Sequence, residues 1–224
     1  MIIAIDGPAG SGKSTTARAV ARKLGLSYLD TGAMYRAVAL QFIRQGLDAT
    51  DEGARDALSN LELQLAPGPD GLVVSLSGKV VTEEIRTPEV TAMASKVSQL
   101  KAVRERMVDE QRKMARQETD ARRGVVLEGR DIGTVVFPNA DLKVFLTADL
   151  AVRAQRRAAQ MDSGEERAIR KEMDRRDHRD STRAESPLRR APDAVEIDTT
   201  GLDFKDQVAR IVALAGERRR NNRV

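Results

Sequence analysis

Gly7-Pro8-Ala9-Gly10-Ser11-Gly12-Lys13-Ser14 fits the spacing G-x-x-x-x-G-K-[ST] and follows directly on the apolar run Ile2-Ile3-Ala4-Ile5. The run has the length and side chains of a buried strand, and 14–24 repeats Ala17, Val20, Ala21 and Leu24 at helical spacing. A glycine-rich turn between strand and helix lets backbone N–H groups close around a phosphate chain, and the helix N-terminus adds a positive dipole end. Lys13 then reaches the outer phosphates and Ser14 offers its hydroxyl to magnesium, with Thr15 beside it in the first helical turn. The plainer alternative is a glycine-rich turn that matches by chance, and the flanking strand and helix speak against it.

Such a loop locates a nucleoside triphosphate without naming the reaction, because switch GTPases, motor ATPases and small-molecule kinases share it. The chain has no guanine-reading Asn-Lys-x-Asp segment. Its nearest approach to the acidic strand of a mechanical ATPase, Val125-Val126-Leu127-Glu128, runs on into Gly129-Arg130-Asp131. That places an arginine and a carboxylate at the carboxyl end of a strand, where doubly wound sheets bind ligands. A phosphate-bearing acceptor needs an anion site of its own. Three segments could supply it: Asp30-Thr31-Gly32-Ala33-Met34-Tyr35-Arg36, Gly129-Arg130-Asp131, and the run from Arg176 to Arg183. On a helix Arg176, Arg179, Asp180 and Arg183 share one face. Taken alone that run reads equally as an exposed ion-pair lattice; beside a phosphate loop it reads as phosphate and ribose binding.

The elements that must position these groups alternate as in a parallel sheet wrapped by helices. Strands are expected at 2–5, 27–29, 125–127, 143–146 and 194–197. Helices are expected at 14–24, at 34–45 with Gly46 as a stop, in two stretches within 89–117, and after Asp149, Glu165 and Asp203. One section breaks the alternation. Leu61, Leu63, Leu65 and then Leu72, Val74, Leu76 alternate about Pro67-Gly68-Pro69-Asp70-Gly71, with Ser77-Gly78 as a second turn, so 61–81 reads as a small antiparallel β insertion. Asp162-Ser163-Gly164-Glu165 reads as a break or hinge between two arginine-rich helices, and 218–224 as a basic, frayed tail.

Composition narrows the class. A chain of 224 residues is one large domain, or one with an insertion, and can bury a core. No cysteine excludes disulfides and thiolate metal sites and fits a cytoplasmic setting. The first strand leaves no room for a signal peptide and no apolar stretch reaches membrane-spanning length, so a soluble protein with no membrane partner is expected. The formal charge is +4, with 32% charged residues but only 3% aromatic. With no stacking module or DNA-reading motif, nucleic acid is not an expected partner. Nothing points to a coiled coil, and a monomer is expected.

At these residues the chain resembles the bacterial cytidylate (CMP) kinases. The resemblance rests on Ile5-Asp6-Gly7-Pro8-x-Gly10-Ser11-Gly12-Lys13-Ser14, Leu29-Asp30-Thr31-Gly32-Ala33-Met34-Tyr35-Arg36, Glu84-Ile85-Arg86-Thr87, Glu128-Gly129-Arg130-Asp131-Ile132-Gly133-Thr134-Val135-Val136-Phe137-Pro138 and Arg176-Asp177-His178-Arg179-Asp180. It implies transfer of the ATP γ-phosphoryl group to CMP or dCMP with Mg²⁺. It implies one nucleoside monophosphate kinase domain over 1–224: a five-stranded doubly wound parallel α/β sheet, an acceptor-binding region at about 35–120, and a short helical lid at about 153–168. The resemblance puts ATP on Gly7 to Thr15 and places Ser95, Arg104 and Asp131 at cytosine and Arg176 and Asp180 at the ribose. Arg36, Arg130 and Arg183 fall at the acceptor phosphate, with Thr31, Tyr35 and Gly129 completing the CMP set. Lys13 and the lid arginines Arg153 and Arg157 become the catalytic cations, with Arg156 beside them. Thr31 and Glu128 stand where Ser and Asp are also expected, which shifts a hydroxyl and a carboxylate without deleting either.

Cytosine presents an N4 donor beside N3 and O2 acceptors, which a carboxylate plus an arginine complements, whereas uracil turns an acceptor toward the carboxylate. Two other readings stay open: a P-loop kinase for a different small acceptor, and a nucleotide-dependent binding switch. His178 has no partner set for a metal site or triad and reads as helix surface, Met107, Gln111 and Met114 read as core, and Asp30 either orients magnesium-bound water or caps a helix.

Overall fold

The computed structural model describes residues 1–68, 71–121, 124–161 and 165–221. In chain order the elements are β1 (Ile2–Asp6), α1 (Lys13–Leu24), β2 (Ser27–Asp30), α2 (Thr31–Arg44), α3 (Asp51–Ser59), β3 (Leu63–Gly68), β4 (Gly71–Leu76) and β5 (Lys79–Val80). A 3-10 turn (Glu84–Arg86) leads into α4 (Pro88–Val97), α5 (Lys101–Asp120) and β6 (Val125–Gly129). A π-type turn (Ile132–Val136) precedes β7 (Leu142–Thr147), α6 (Leu150–Met161), α7 (Glu166–Thr182), β8 (Val195–Asp198) and α8 (Phe204–Asn221). The chain divides into two compact units, Met1–Ser27 with Glu118–Val224, and Tyr28–Gln117.

The α/β sheet expected from the alternation has five strands, of which β1, β6, β7 and β8 lie in the first unit. The strand order is β2-β6-β1-β7-β8, with β1 parallel to both neighbours in the registers Ile3↔Val126 and Ile5↔Val144. Ile3, Ala4, Ile5, Val126 and Leu127 are fully buried, as central parallel strands covered on both faces must be. Helix α1 stops at Gly25 (φ 64), where the Leu26 N–H donates to Ala21 O at 2.9 Å. Arg218, Arg219 and Arg220, expected in a frayed tail, instead form the last turn of α8, where their charges meet the negative end of the helix dipole. Residues 222–224 of that tail lie outside the described residues, as do 162–164 of the expected hinge; α6 and α7 are helical on either side of it.

The second unit packs α2 against α4 and β4, with Met34, Ala37, Val38, Leu40, Phe42, Val74 and Leu76 in its core. The β insertion is a three-stranded antiparallel sheet in the order β3-β4-β5, registered Leu63↔Leu76 and Leu65↔Val74. Ser77 (φ 49) and Gly78 (φ 73) make its second turn, the left-handed pair a tight hairpin requires. Residues 69 and 70 of the first turn lie outside the described residues. Helix α2 starts at Thr31 rather than 34, because the Asp30 carboxylate accepts from Ala33 N and caps the helix. Helix α3 was not expected from sequence. Thr50 caps it, Asp51 and Glu52 fill its first turn, and its buried side is made only of Gly53, Ala54 and Ala57, a stripe too small to register as a period.

Candidate active site

The phosphate loop lies in the first unit, between β1 and α1. Gly7 has φ 151, and a Cβ there would come within 2.1 Å of Leu146 O in β7. Gly10 has φ 73, and a Cβ there would meet Met173 Cε at 2.6 Å and Arg153 Cβ at 3.2 Å. Backbone conformation and close approach therefore both demand glycine. Lys13 is 5% exposed, and its Nζ donates to Pro8 O at 2.6 Å and Ser11 Oγ at 3.5 Å. Burial, with the charges of Arg130 and Arg176, lowers its pKa to about 7; Glu128 and Asp6 oppose this. Ser14 and Thr15 are exposed at the start of α1. Pro8, Ala9, Ser11 and Gly12 form the rest of the loop, and Gln207 Nε2 donates to Thr16 Oγ1 at 2.5 Å beneath it.

At the end of β6, Gly129-Arg130-Asp131 meets the arginine-rich helix α7. Arg130 Nε donates to Asp180 Oδ2 at 2.9 Å, and Arg183 Nη2 stands 3.8 Å from Asp131 Oδ1. Burial opposes ionisation of both partners in the first pair. The Asp180 and Glu128 carboxylates nevertheless hold Arg130 above the ordinary arginine value, and Arg130, Arg176 and Arg183 hold Asp180 below the usual carboxylate range. Arg183 Nε is tied to Ser186 O at 2.7 Å.

The arginines expected in a lid have unequal settings. Arg153 is buried: Nε donates to Ala148 O at 2.8 Å, and Nη1 donates to Ala9 O of the loop at 2.9 Å and to the Asp177 carboxylate. Asp177 Oδ1 in turn accepts from Ala9 N at 3.2 Å, so Arg153 of α6 and Asp177 of α7 together hold both backbone polar atoms of Ala9. Arg156 donates to Thr199 Oγ1 and O. Arg157 is exposed, as is His178.

In the second unit Asp30 pairs with Arg36 at 3.0 Å while capping α2, which engages both of its oxygens. Arg36 Nε is buried with no hydrogen-bond partner. Thr31 and Ser95 are buried, Tyr35 is half-buried, and Arg104 stacks 5.7 Å from the Tyr35 ring centroid while donating from Nη1 to Ser98 O. Met107 and Gln111 are buried on the same helix face as Arg104.

Sequence reasoning passed over two carboxylates. Asp6 is buried at the end of β1, where both oxygens accept backbone N–H groups from Ile132 and Gly133; burial raises its pKa to about 7 against those two donors. An acid closing an apolar strand was its only visible signal. Asp177 had none beyond its place in an arginine-rich run.

For magnesium, the Ser14 hydroxyl fits as a single protein ligand to an ion carried on ATP phosphates and water. Asp6 and Asp30 have both oxygens committed to N–H donors, and no group of three or more acidic or histidine residues suited to a metal occurs among the described residues.

A glycine loop joining the central strand of a parallel sheet to a helix, with buried lysine and arginine behind it, defines a P-loop nucleotide-binding protein of the kinase type. The cytidylate kinase family model matches residues 3–217. The chain is 48% identical to the cytidylate kinase of Salinibacter ruber over 216 residues, covering 95% of each, and 48% identical to that of Rhodococcus opacus over 224 residues, covering 97% and 96%. It belongs to the cytidylate kinase family. Among solved structures, an uncharacterised protein from Eubacterium ventriosum matches with a TM-score of 0.52 at 14% identity, covering 96% of this chain and 97% of that one, a likeness of fold.

Proposed function

We propose that this protein transfers the γ-phosphoryl group of ATP to CMP or dCMP, giving ADP and CDP or dCDP. The carrying observation is the crowding of cations behind the loop, where Arg130 and Arg176 act on buried Lys13 strongly enough to help bring its pKa to about 7. Family membership supplies the acceptor. An acceptor phosphate oxygen attacks the γ-phosphorus, the bond to the β,γ-bridging oxygen breaks, and that oxygen leaves with ADP. Little covalent chemistry falls to the protein, so positioning and charge stabilisation carry the rate. Lys13 and the loop N–H groups hold the donor, and Arg153 and Arg157 meet charge on the transferring group. Ser14 would hold magnesium, which would supply charge neutralisation at the phosphates. We assign Gly129, Arg130, Asp131, Arg176, Asp180 and Arg183 of the first unit, and Thr31, Tyr35, Arg36, Ser95 and Arg104 of the second, to CMP. We take about 35–120 as the acceptor-binding region, about 153–168 as the lid, and the enzyme as a cytoplasmic monomer.

ATP consumption with CMP, dCMP, UMP, AMP or no acceptor tests the reading. Fast turnover is expected with CMP and dCMP only; equal turnover with AMP, or without acceptor, refutes it. An acceptor–acceptor clash between uracil and Asp131 costs about 1–3 kcal/mol, roughly tenfold to hundredfold in preference. Asp131→Asn therefore weakens CMP use more than UMP use.

A further inference from the structure

We infer that Asp6 is a positioning residue for acceptor selection, holding the Arg130-Asp131 pair in place from both ends of its turn. On one side, β1 and β6 are paired with Asp6 opposite Gly129. On the other, the Asp6 side chain crosses to the residues after Asp131: Oδ1 accepts from Ile132 N at 2.9 Å and Oδ2 from Gly133 N at 2.7 Å. One residue of the central strand therefore fixes the chain before and after the two side chains that face the acceptor.

The turn is built to accept this grip. A Cβ on Gly133 would stand in ordinary contact with Asp6 Oδ2 at 3.4 Å and would press only on the Lys143 side chain, at 3.1 Å from Cδ, so the amide reaches the carboxylate without crowding. Beyond it the Asp131 carbonyl accepts from both Val135 N and Val136 N, and the turn leaves the site as a π-type coil. With the carboxylate buried at 5% exposure and both oxygens used, an amide cannot substitute. One atom of an asparagine would turn N–H toward N–H, and the turn would have to move.

The inference rests on the reading of Asp131 as the group that selects cytosine. The test measures kcat/KM for CMP and for UMP at saturating ATP in the wild type, Asp6→Asn, Asp6→Glu and Asp131→Asn. Both acceptors share the donor site, so the CMP:UMP ratio cancels any effect of Asp6 on Lys13. Asp6→Asn is expected to lower the ratio about tenfold, chiefly through KM for CMP. Asp6→Glu keeps both acceptor oxygens and is expected to retain part of the preference. A ratio kept in Asp6→Asn but lost in Asp131→Asn overturns this inference and leaves the base reading standing; a ratio kept in both overturns both. Should Asp6→Asn not fold, Asp6→Glu, whose extra methylene shifts the same two acceptor oxygens against Ile132 N and Gly133 N, is read in its place: a lowered ratio is expected, and an unchanged ratio overturns the inference.

Discussion

Binding of MgATP should draw a proton onto Lys13, and the amount can be worked from its surroundings. With a pKa of about 7, set by burial and by the charges of Arg130 and Arg176, the ammonium is about half formed at pH 7 and about one-tenth formed at pH 8. A triphosphate brings at least three negative charges to the loop and restores the ordinary lysine preference for the charged form. Uptake should then be about 0.9 proton per site at pH 8, where the γ-phosphate is already ionised, and about 0.5 at pH 7. Titration calorimetry in buffers of different ionisation enthalpy reads this number directly as a slope. Affinity should fall about 50-fold from pH 7 to pH 9, or ~2.3 kcal/mol, as the protonated fraction drops from about one-half to one-hundredth. Lys13→Arg, which stays charged, should bind without the pH dependence of that residue. A flat slope in the wild type at pH 8 refutes the reasoning. Stability follows the same linkage. Between about pH 7 and the ordinary lysine value of 10.5 the unfolded chain holds the Lys13 proton and the folded one does not, so this group makes the nucleotide-free enzyme more stable as pH rises. Asp6, lifted from 3.8 to about 7, acts oppositely and lowers stability as pH rises across that interval.

Two further perturbations separate structural from chemical roles. Gly10→Ala faces a φ of 73 and a Cβ contact of 2.6 Å with Met173 Cε; adding Met173→Ala should remove the clash but leave about 1–2 kcal/mol of backbone strain, seen as a melting temperature about 2–8 °C below that of Met173→Ala alone. Arg157→Ala, on an exposed residue, should cut turnover more than ATP affinity at an unchanged melting temperature, whereas Arg153→Ala should lower both turnover and melting temperature because it leaves Asp177 and Ala9 O without their shared donor. An Arg157→Ala enzyme of full activity, or an Arg153→Ala enzyme of unchanged stability, contradicts these roles.

The parallel sheet was legible because its strands are short, apolar and bounded by turn residues, and the β insertion because leucine alternation and Ser77-Gly78 mark a hairpin locally. Helix α3 and the π-type turn at Ile132–Val136 were not, since one buries only Gly53, Ala54 and Ala57 and the other depends on a carboxylate 126 residues away. The candidate site divides in the same manner. Lys13 and Ser14 are announced by a contiguous motif, and Arg130 and Asp131 by their place after a strand. The partners that hold them are spread along the chain: Asp180 on α7 for Arg130, and Asp177, also on α7, for Arg153 and the loop. Periodicity says which face a residue shares, and it carries no information on which distant carboxylate an arginine meets.

Those partners explain why Lys13 is the group to titrate. Buried guanidinium groups are costly unless compensated, and each of these arginines has a carboxylate: Arg130 with Asp180, Arg153 with Asp177, Arg183 near Asp131, Arg36 with Asp30. Among the described residues Lys13 has only the Pro8 carbonyl and the Ser11 hydroxyl as hydrogen-bond acceptors. Neutral acceptors satisfy its N–H groups without balancing its charge, and Glu128 and Asp6 act on it without bonding to it. Oriented arginines can thus be ready before any nucleotide arrives, because their own carboxylates hold them in place. The lysine cannot, and a phosphate is the first anion to bond it directly, which is why proton uptake should follow the donor nucleotide and not the acceptor.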